Sequence, residues 1–135
     1  MCTSVLYTVN TATTAAALDA PINLGTVLRR KNCGLSADGS VIRLEENGYY
    51  AVDVSATFTA AAAGNVTLTL YKDGVPVPGA LATQTVTTAV AENRSVSIPA
   101  VVRQSGSCCD TGSLTVVASG NAPTISNLAV RVEHI

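Results

Sequence analysis

The side chains with the greatest chemical potential in this 135-residue chain are four cysteines and one histidine. Cys108 and Cys109 are adjacent, so in a strand they point to opposite faces, and a bond between them would need a strained ring. Either one could pair with Cys33 or Cys2 if the fold brings them together. Two interpretations therefore stay open: free, packed thiols inside a cell, or a structural disulfide outside it.

The spacing of these residues does not match a known catalytic or metal centre. Zinc sites use four ligands at spacings such as Cys-x-x-Cys, which the sequence lacks. A Cys–His nucleophile pair would have to use His134, which we expect to be exposed to solvent, as near-terminal histidines usually are. No Gly-x-Ser-x-Gly elbow, phosphate loop or dinucleotide fingerprint is present. We therefore expect no cofactor and no enzymatic activity.

The composition is that of a sheet protein with few charges. The chain contains 18 Val and 17 Thr, whose branched Cβ favours pleated strands. Charged residues make up 13% of the chain, against about 25% in typical soluble domains. A monomer of this size would expose roughly 6,600 Å², so these charges are thinly spread. We favour shielding of this surface by copies of the same chain over the alternative of a monomer kept soluble by its hydroxyl groups.

Charge and hydropathy exclude several kinds of partner. A net charge of −1 gives no general attraction to nucleic acid or to an anionic membrane. The only basic run, Arg29-Arg30-Lys31, is interpreted as a solvated strand end or turn. No stretch approaches the ~20 apolar residues needed to cross a bilayer, so we expect no membrane insertion. The N-terminus also lacks the features of a classical secretion signal, and the localisation stays open.

Apolar and polar residues alternate with a period of two over most of the chain, which is typical of half-buried strands. In residues 49–59, one predicted face carries Tyr50, Val52, Val54, Ala56 and Phe58, and the other carries mainly small and hydroxylated side chains. Similar runs occur in residues 5–9, 66–71, 96–102, 114–118 and 128–134. We expect one domain over residues 1–135.

Turn-forming dipeptides separate these runs. Asp38-Gly39, Asn47-Gly48 and Asp73-Gly74 readily adopt the positive φ of tight hairpin turns. Residues 12–20 have the propensity of a short helix ended by Pro21, but such a helix is marginal without packing. For that segment we prefer an extended crossover with irregular strand.

Short strands at close intervals without helices between them indicate an all-β fold, a two-sheet antiparallel sandwich or barrel rather than βαβ units. An immunoglobulin-like sandwich is the alternative fold, although the sequence lacks its Cys-Trp-Cys framework.

Two segments point to a specific family. Residues 42–54 read Ile-Arg-Leu-Glu-Glu-Asn-Gly-Tyr-Tyr-Ala-Val-Asp-Val, a strand, a Gly turn and a Gly-x-Tyr-x-Val strand, and residues 124–132 read as a final strand. In this order they resemble the jelly-roll heads of the tumour necrosis factor (TNF) and complement-head superfamily. The nearest likeness is to its bacterial branch, the heads of collagen-like spore-surface proteins of the BclA type and related phage structural proteins.

This resemblance implies a TNF-like jelly roll in which three copies assemble around a threefold axis through the sheet that holds the first, last and Gly-x-Tyr strands. The predicted core consists of Tyr50, Val52, Val54, Phe58, Leu68, Leu70, Val130 and Val132. The predicted subunit interface consists of Tyr7, Tyr49, Ala51, Asp53, Ser55 and Thr57. The low aromatic content departs from the aromatic-lined axis of the better-known members.

A trimer would give Asp53 special importance. Threefold repetition on an interface would bring like charges together, which would raise the pKa of Asp53 or recruit a cation. The alternative for Asp53 is a hydrated position at the rim. Glu45 and Glu46 flank a turn and are interpreted as solubilising charge. A metal site shared by one Cys or His from each of three copies is the remaining metal hypothesis.

The sequence thus supports a structural or surface-display head, a homotrimer on a phage particle or on a bacterial or spore surface. The alternative is a module that binds a surface carbohydrate or receptor protein through loops at one end of the trimer. The loops considered for this role are residues 60–65, 75–81 and 104–112.

Overall fold

The computed structural model describes residues 4–31, 34–60, 62–87, 93–105 and 111–135. Within these ranges the chain forms eleven β-strands and no helix. In chain order they are β1 (Val5–Asn10), β2 (Thr14–Ala15), β3 (Thr26–Lys31), β4 (Leu35–Asp38), β5 (Val41–Leu44), β6 (Gly48–Ala60), β7 (Gly64–Lys72), β8 (Val75–Val86), β9 (Arg94–Gln104), β10 (Gly112–Gly120) and β11 (Pro123–His134).

The strands form two antiparallel sheets. The first sheet has the order β3-β1-β11-β6-β9, with the short β2 paired to β11, and the second has the order β4-β5-β10-β7-β8. The pairs are nested along the chain: β7 pairs with β8, β6 with β9, β5 with β10 and β1 with β11. Nested pairing of this kind defines a jelly roll, so the predicted two-sheet fold is confirmed and the immunoglobulin-like alternative is wrong.

The hydrophobic core lies between the two sheets, because alternate side chains of each strand point inward. In β6 the burial alternates along the whole strand, with Tyr50, Val52 and Val54 buried and their neighbours partly exposed. The eight residues predicted for the core from the sequence each expose at most 1% of their surface: Tyr50, Val52, Val54, Phe58, Leu68, Leu70, Val130 and Val132. β-branched and aromatic side chains pack well on such pleated surfaces.

The alanine-rich segment of residues 12–20 is extended, as preferred from the sequence. Its backbone amides bond to strands of both sheets: Ala16 N–H donates to Pro123 O over 3.0 Å, and Asp19 N–H donates to Ala118 O over 2.9 Å. These bonds replace the internal bonds of a helix, and the isolated helix would have been marginal without packing. The segment therefore crosses from β11 of the first sheet to β10 of the second.

Two of the three predicted hairpin turns are hairpins. Asp73 and Gly74 have φ of 53° and 78° between the paired residues Lys72 and Val75, which is the backbone of a type I′ turn. The β4–β5 hairpin turns at Gly39, whose φ is 61°. The third prediction was wrong, because Asn47-Gly48 joins β5 of the second sheet to β6 of the first.

The Asp73 side chain fastens the β7–β8 hairpin to the start of β10. Its Oδ1 accepts a hydrogen bond from Ser113 N–H over 2.9 Å, and its Oδ2 accepts one from Lys72 Nζ over 2.7 Å. The Lys72 hydrogen bond is the main reason that the pKa of Asp73 is lowered. Burial opposes this lowering, and the Ser113 amide adds to it.

We expect Asp73→Asn to lower the free energy of unfolding by about 0.5–1 kcal/mol at pH 7, because a half-exposed charge-assisted bond contributes modestly. A carboxyl whose pKa is lowered by folding stabilises the protein above its unfolded pKa, 3.8, and loses this effect as the pH falls through the folded value. Urea unfolding should therefore show the difference between variant and wild type shrinking below pH 3.8. Asp38→Ala, in the other hairpin, is the control, and an equal loss there would contradict a specific role for Asp73.

Candidate functional site

The outer face of the first sheet is a surface that the alternating sequence pattern builds. It is formed by the side chains of β1, β11, β6 and β9 that point away from the core. Strand register places them in rows, one of which runs Tyr7, Arg131, Asp53 and Pro99, and the next Val9, Ala129, Ser55 and Ser97. The six residues predicted for a subunit interface all lie on this face: Tyr7, Tyr49, Ala51, Asp53, Ser55 and Thr57.

The centre of this face is a shallow depression of about 460 Å³. It is lined by Tyr7, Asp53, Ser55, Asn127, Ala129 and Arg131. An Arg131 guanidinium N–H donates a hydrogen bond to Asp53 Oδ2, and the two side chains are 54% and 47% exposed. The depression is therefore polar but carries one charge of each sign.

This ion pair changes the interpretation of Asp53. The sequence left two interpretations of Asp53: a carboxylate that meets like charges or recruits a cation, and a hydrated position at the rim. In the structure Arg131 compensates its charge within the same chain. Arg131 was not identified from the sequence, because it lies 78 residues from Asp53. Only the register of β6 against β11 brings the two together.

An apolar strip borders the outer face where the two sheets meet at β8 and β9. Val75 and Val101 are 63% and 62% exposed, and with Pro76 and Pro78 they line a groove of about 260 Å³. Lys72 and Arg103 also line this groove. The interpretation of residues 75–81 as a loop was wrong, since they belong to β8. We call Val75, Pro76, Pro78 and Val101 the β8–β9 strip.

The opposite border of the outer face is the edge strand β3, whose six residues are all exposed. It ends in Arg29, Arg30 and Lys31, and the register with β1 shifts beside Tyr7. Charged side chains and a bulge are the usual means of preventing an edge strand from pairing with another sheet. This border is therefore protected against strand addition.

His134 is packed, contrary to the exposure expected from its position in the sequence. Its side chain is 11% exposed and stacks on the Tyr50 ring with centroids 4.6 Å apart. Its Nδ1 lies 3.7 Å from Glu46 Oε2, so Glu46 does more than add solubility. Gly48 allows this packing, because a Cβ there would overlap His134 Nε2.

The Tyr50 hydroxyl is the polar end of this cluster. It donates a hydrogen bond to the carbonyl oxygen of Glu46 over 2.7 Å. Burial is the main cause of the raised pKa of Tyr50, and the nearby carboxylates of Glu46 and Glu45 act in the same direction. The phenol therefore stays neutral, and it ties β6 to the turn that precedes it.

The cysteine and metal hypotheses are not tested by this structure. Cys2, Cys33, Cys108 and Cys109 all lie outside the described residues. Within the described ranges, no group of three or more His, Cys, Asp and Glu side chains could hold a metal ion. The free-thiol, disulfide and shared-metal interpretations stay predictions.

The remaining loops considered for binding lie at opposite ends of the sandwich. Gly48 pairs with Gln104 and Phe58 with Arg94, so the end of β6 that leads to residues 60–65 is far from the end of β9 that leads to residues 104–112. Residues 61 and 106–110 are outside the described part of the chain. A binding site at one end of the sandwich could not use both loops.

Comparisons with known proteins agree with this topology. The sequence matches no protein-family model and no curated protein. Solved structures do match over nearly the whole chain. Murine APRIL at pH 5.0 has 17% identity and a TM-score of 0.76, covering 98% of this chain and 99% of its own.

The globular domain of zebrafish complement 1qA has 14% identity and a TM-score of 0.67, with 97% and 95% coverage. PRD1 vertex protein P5 has 13% identity and a TM-score of 0.64, with 100% and 99% coverage. The fold is a TNF-like jelly roll. Identities at this level establish the fold alone, and the narrower resemblance to spore-surface heads stays a prediction.

This topology determines which strands form the outer face: β11 is the middle strand of the first sheet, and β9 is one of its edge strands.

No helix in the described ranges is long and apolar enough to span a membrane.

The packing of His134 on Gly48 can be tested by adding a methyl group. We expect Gly48→Ala to lower the free energy of unfolding by about 2 kcal/mol or more, because the residue has a φ of 140° and the new Cβ would displace His134. Gly39→Ala is the matched control: its φ is 61° but nothing lies within 4 Å of the added atom, so only about 1 kcal/mol is expected. Chemical denaturation of both variants measures the difference, and equal losses would show that His134 does not need Gly48.

Proposed function

We propose that this protein is a non-enzymatic structural or display head that works as a homotrimer on a phage particle or on a bacterial or spore surface. The observation that carries the proposal is the outer face of the first sheet. Along β6 and β9 this face carries small or hydroxylated side chains, and at its centre the Asp53–Arg131 pair cancels its own charge. The small or hydroxylated residues are Ala51, Ser55, Thr57, Ser95 and Ser97. Small side chains allow two flat surfaces to approach closely.

The scarcity of charge supports self-association. The chain exposes 6800 Å² and carries eight basic and nine acidic side chains. Burying part of this surface against identical copies would remove mainly apolar and hydroxyl groups from water. Burial of apolar surface contributes roughly 25 cal/mol per Å², and hydroxyl groups find hydrogen-bond partners across an interface.

The two unlike surfaces suggest how copies would meet. The outer face of one copy is polar, and the two charges at its centre cancel, whereas the β8–β9 strip is mainly apolar. A contact between unlike surfaces is heterologous, and it closes into a ring when the rotation between copies permits. The resemblance to TNF and complement heads implies three copies per ring. Such a ring would also cover the edge strands β8 and β9, which a soluble sandwich must protect.

The location on a particle or surface is supported by the fold shared with PRD1 vertex protein P5. A head of this kind acts through its shape and stability, so it needs no catalytic group. The nested strand pairing encloses one continuous hydrophobic core between the sheets, which favours resistance to unfolding.

Sedimentation velocity at micromolar concentration should give a species of three times the chain mass of 13.7 kDa. We expect Ser55→Arg, on the outer face, to shift it to the single-chain mass, because an unpaired charge in an interface costs about 3–5 kcal/mol. Thr115→Arg is the matched control, since Thr115 is a hydroxylated residue in the central strand β10 of the second sheet. It should leave the assembly intact. A wild-type chain that stays monomeric would refute the proposal, and dissociation by Thr115→Arg alone would place the interface on the other sheet.

A further inference from the structure

We propose that the Asp53–Arg131 ion pair compensates its own charges within the self-association interface, which lets the outer face of the first sheet be buried against a second copy of this chain. The inference rests on the proposed function, because it assigns a role to two residues within the proposed interface. It goes beyond that function by predicting which changes at the interface are tolerated.

The position of the pair supports this role. β11 and β6 are neighbours, with β11 the middle strand of the five along the first sheet. Arg131 and Asp53 face each other directly across these strands, in the row that Tyr7 and Pro99 complete. The pair therefore lies near the centre of the face, where a neighbouring copy would remove it from water most completely.

The ion pair and the side chains around it have more hydrogen-bond donors and acceptors than the bond between Asp53 and Arg131 uses. Arg131 has further N–H donors, and Asp53 has a second carboxylate oxygen. The Tyr7 hydroxyl and the side chains of Ser55 and Asn127 line the same depression. These groups can satisfy the pair when water is excluded, which is the condition under which a buried ion pair is tolerated.

The charge balance of the outer face favours a second copy of this chain as its binding partner. A strongly acidic or basic partner needs a surface with net charge of the opposite sign, and the central pair has none. A second copy fits better, because its β8–β9 strip is apolar and adjoins the same face through β9. Val101 of the strip lies in the row of Ala51, at the β9 border of the face.

The pair in the isolated chain is half exposed and contributes little to folding, since solvent screens it. Removing one partner would leave the other as a lone charge that must be desolvated on assembly. Removing both would leave a neutral surface. The two single substitutions should therefore harm assembly, and the double substitution should not.

The experiment compares Asp53→Asn, Arg131→Met and the double variant D53N/R131M by sedimentation over a dilution series. We expect each single variant to raise the concentration at which half of the chain is assembled by about 100-fold or more. The double variant should stay within about tenfold of the wild type. Far-UV circular dichroism and thermal unfolding of dilute protein should be unchanged in all three, because both side chains are half exposed.

Arg43→Met is the control, since Arg43 is an exposed cation of β5 in the second sheet and its removal should not affect assembly. If the wild type assembles and none of the variants changes its assembly, the role of the pair is overturned but the proposed function remains intact. Equal weakening in the single and double variants would show that the two residues act as separate contacts, which also overturns it. A monomeric wild type would instead refute the proposed function itself.

Discussion

The structure depends on one constraint: each strand that contributes to the core must bury one of its two faces between the sheets. β6 shows the consequence over thirteen residues, in which buried and partly exposed side chains alternate without a break. Because the side-chain period of a strand is two, a slip of one residue in any pairing would expose the whole buried row. The nested pairing of the jelly roll satisfies this constraint for β5 to β10 and for β1 with β11 at once.

A sheet with one buried face leaves another face to be accounted for, and in the first sheet the two borders of that face differ. The outer face of the first sheet is bordered on one side by the charged edge strand β3 and on the other by the apolar β8–β9 strip. Charge protects the first border from strand pairing, whereas the second border is exposed and apolar. The two borders of this face therefore differ in their chemistry, one charged and one apolar.

The His134 cluster illustrates how the fold uses its few polar groups. His134, Tyr50 and Glu46 come from β11, β6 and the connection before β6, and together they join the last strand to the turn between the sheets. None of them lies in the central depression. Their arrangement is explained by packing and hydrogen bonding at the end of the sandwich, without a chemical reaction.

Local features of the chain were readable from the sequence because they depend on neighbouring residues. The alternation of residues 49–59, the Asp73-Gly74 turn and the extended form of residues 12–20 are set by side-chain period, positive φ and the weakness of an isolated short helix. The Asn47-Gly48 turn was misjudged because a dipeptide determines a local bend but not which sheet the next strand joins.

Only the tertiary structure decided which distant residues meet. Arg131 reaches Asp53, and His134 packs on Gly48, through the register of β11 against β6, and residues so far apart in sequence leave no local signal of their contact. The sequence by itself determined that alternate residues would be buried and that charge would be scarce. The fold determined where the remaining charges stand and which surfaces are left uncovered, because strand register is a property of the whole sheet.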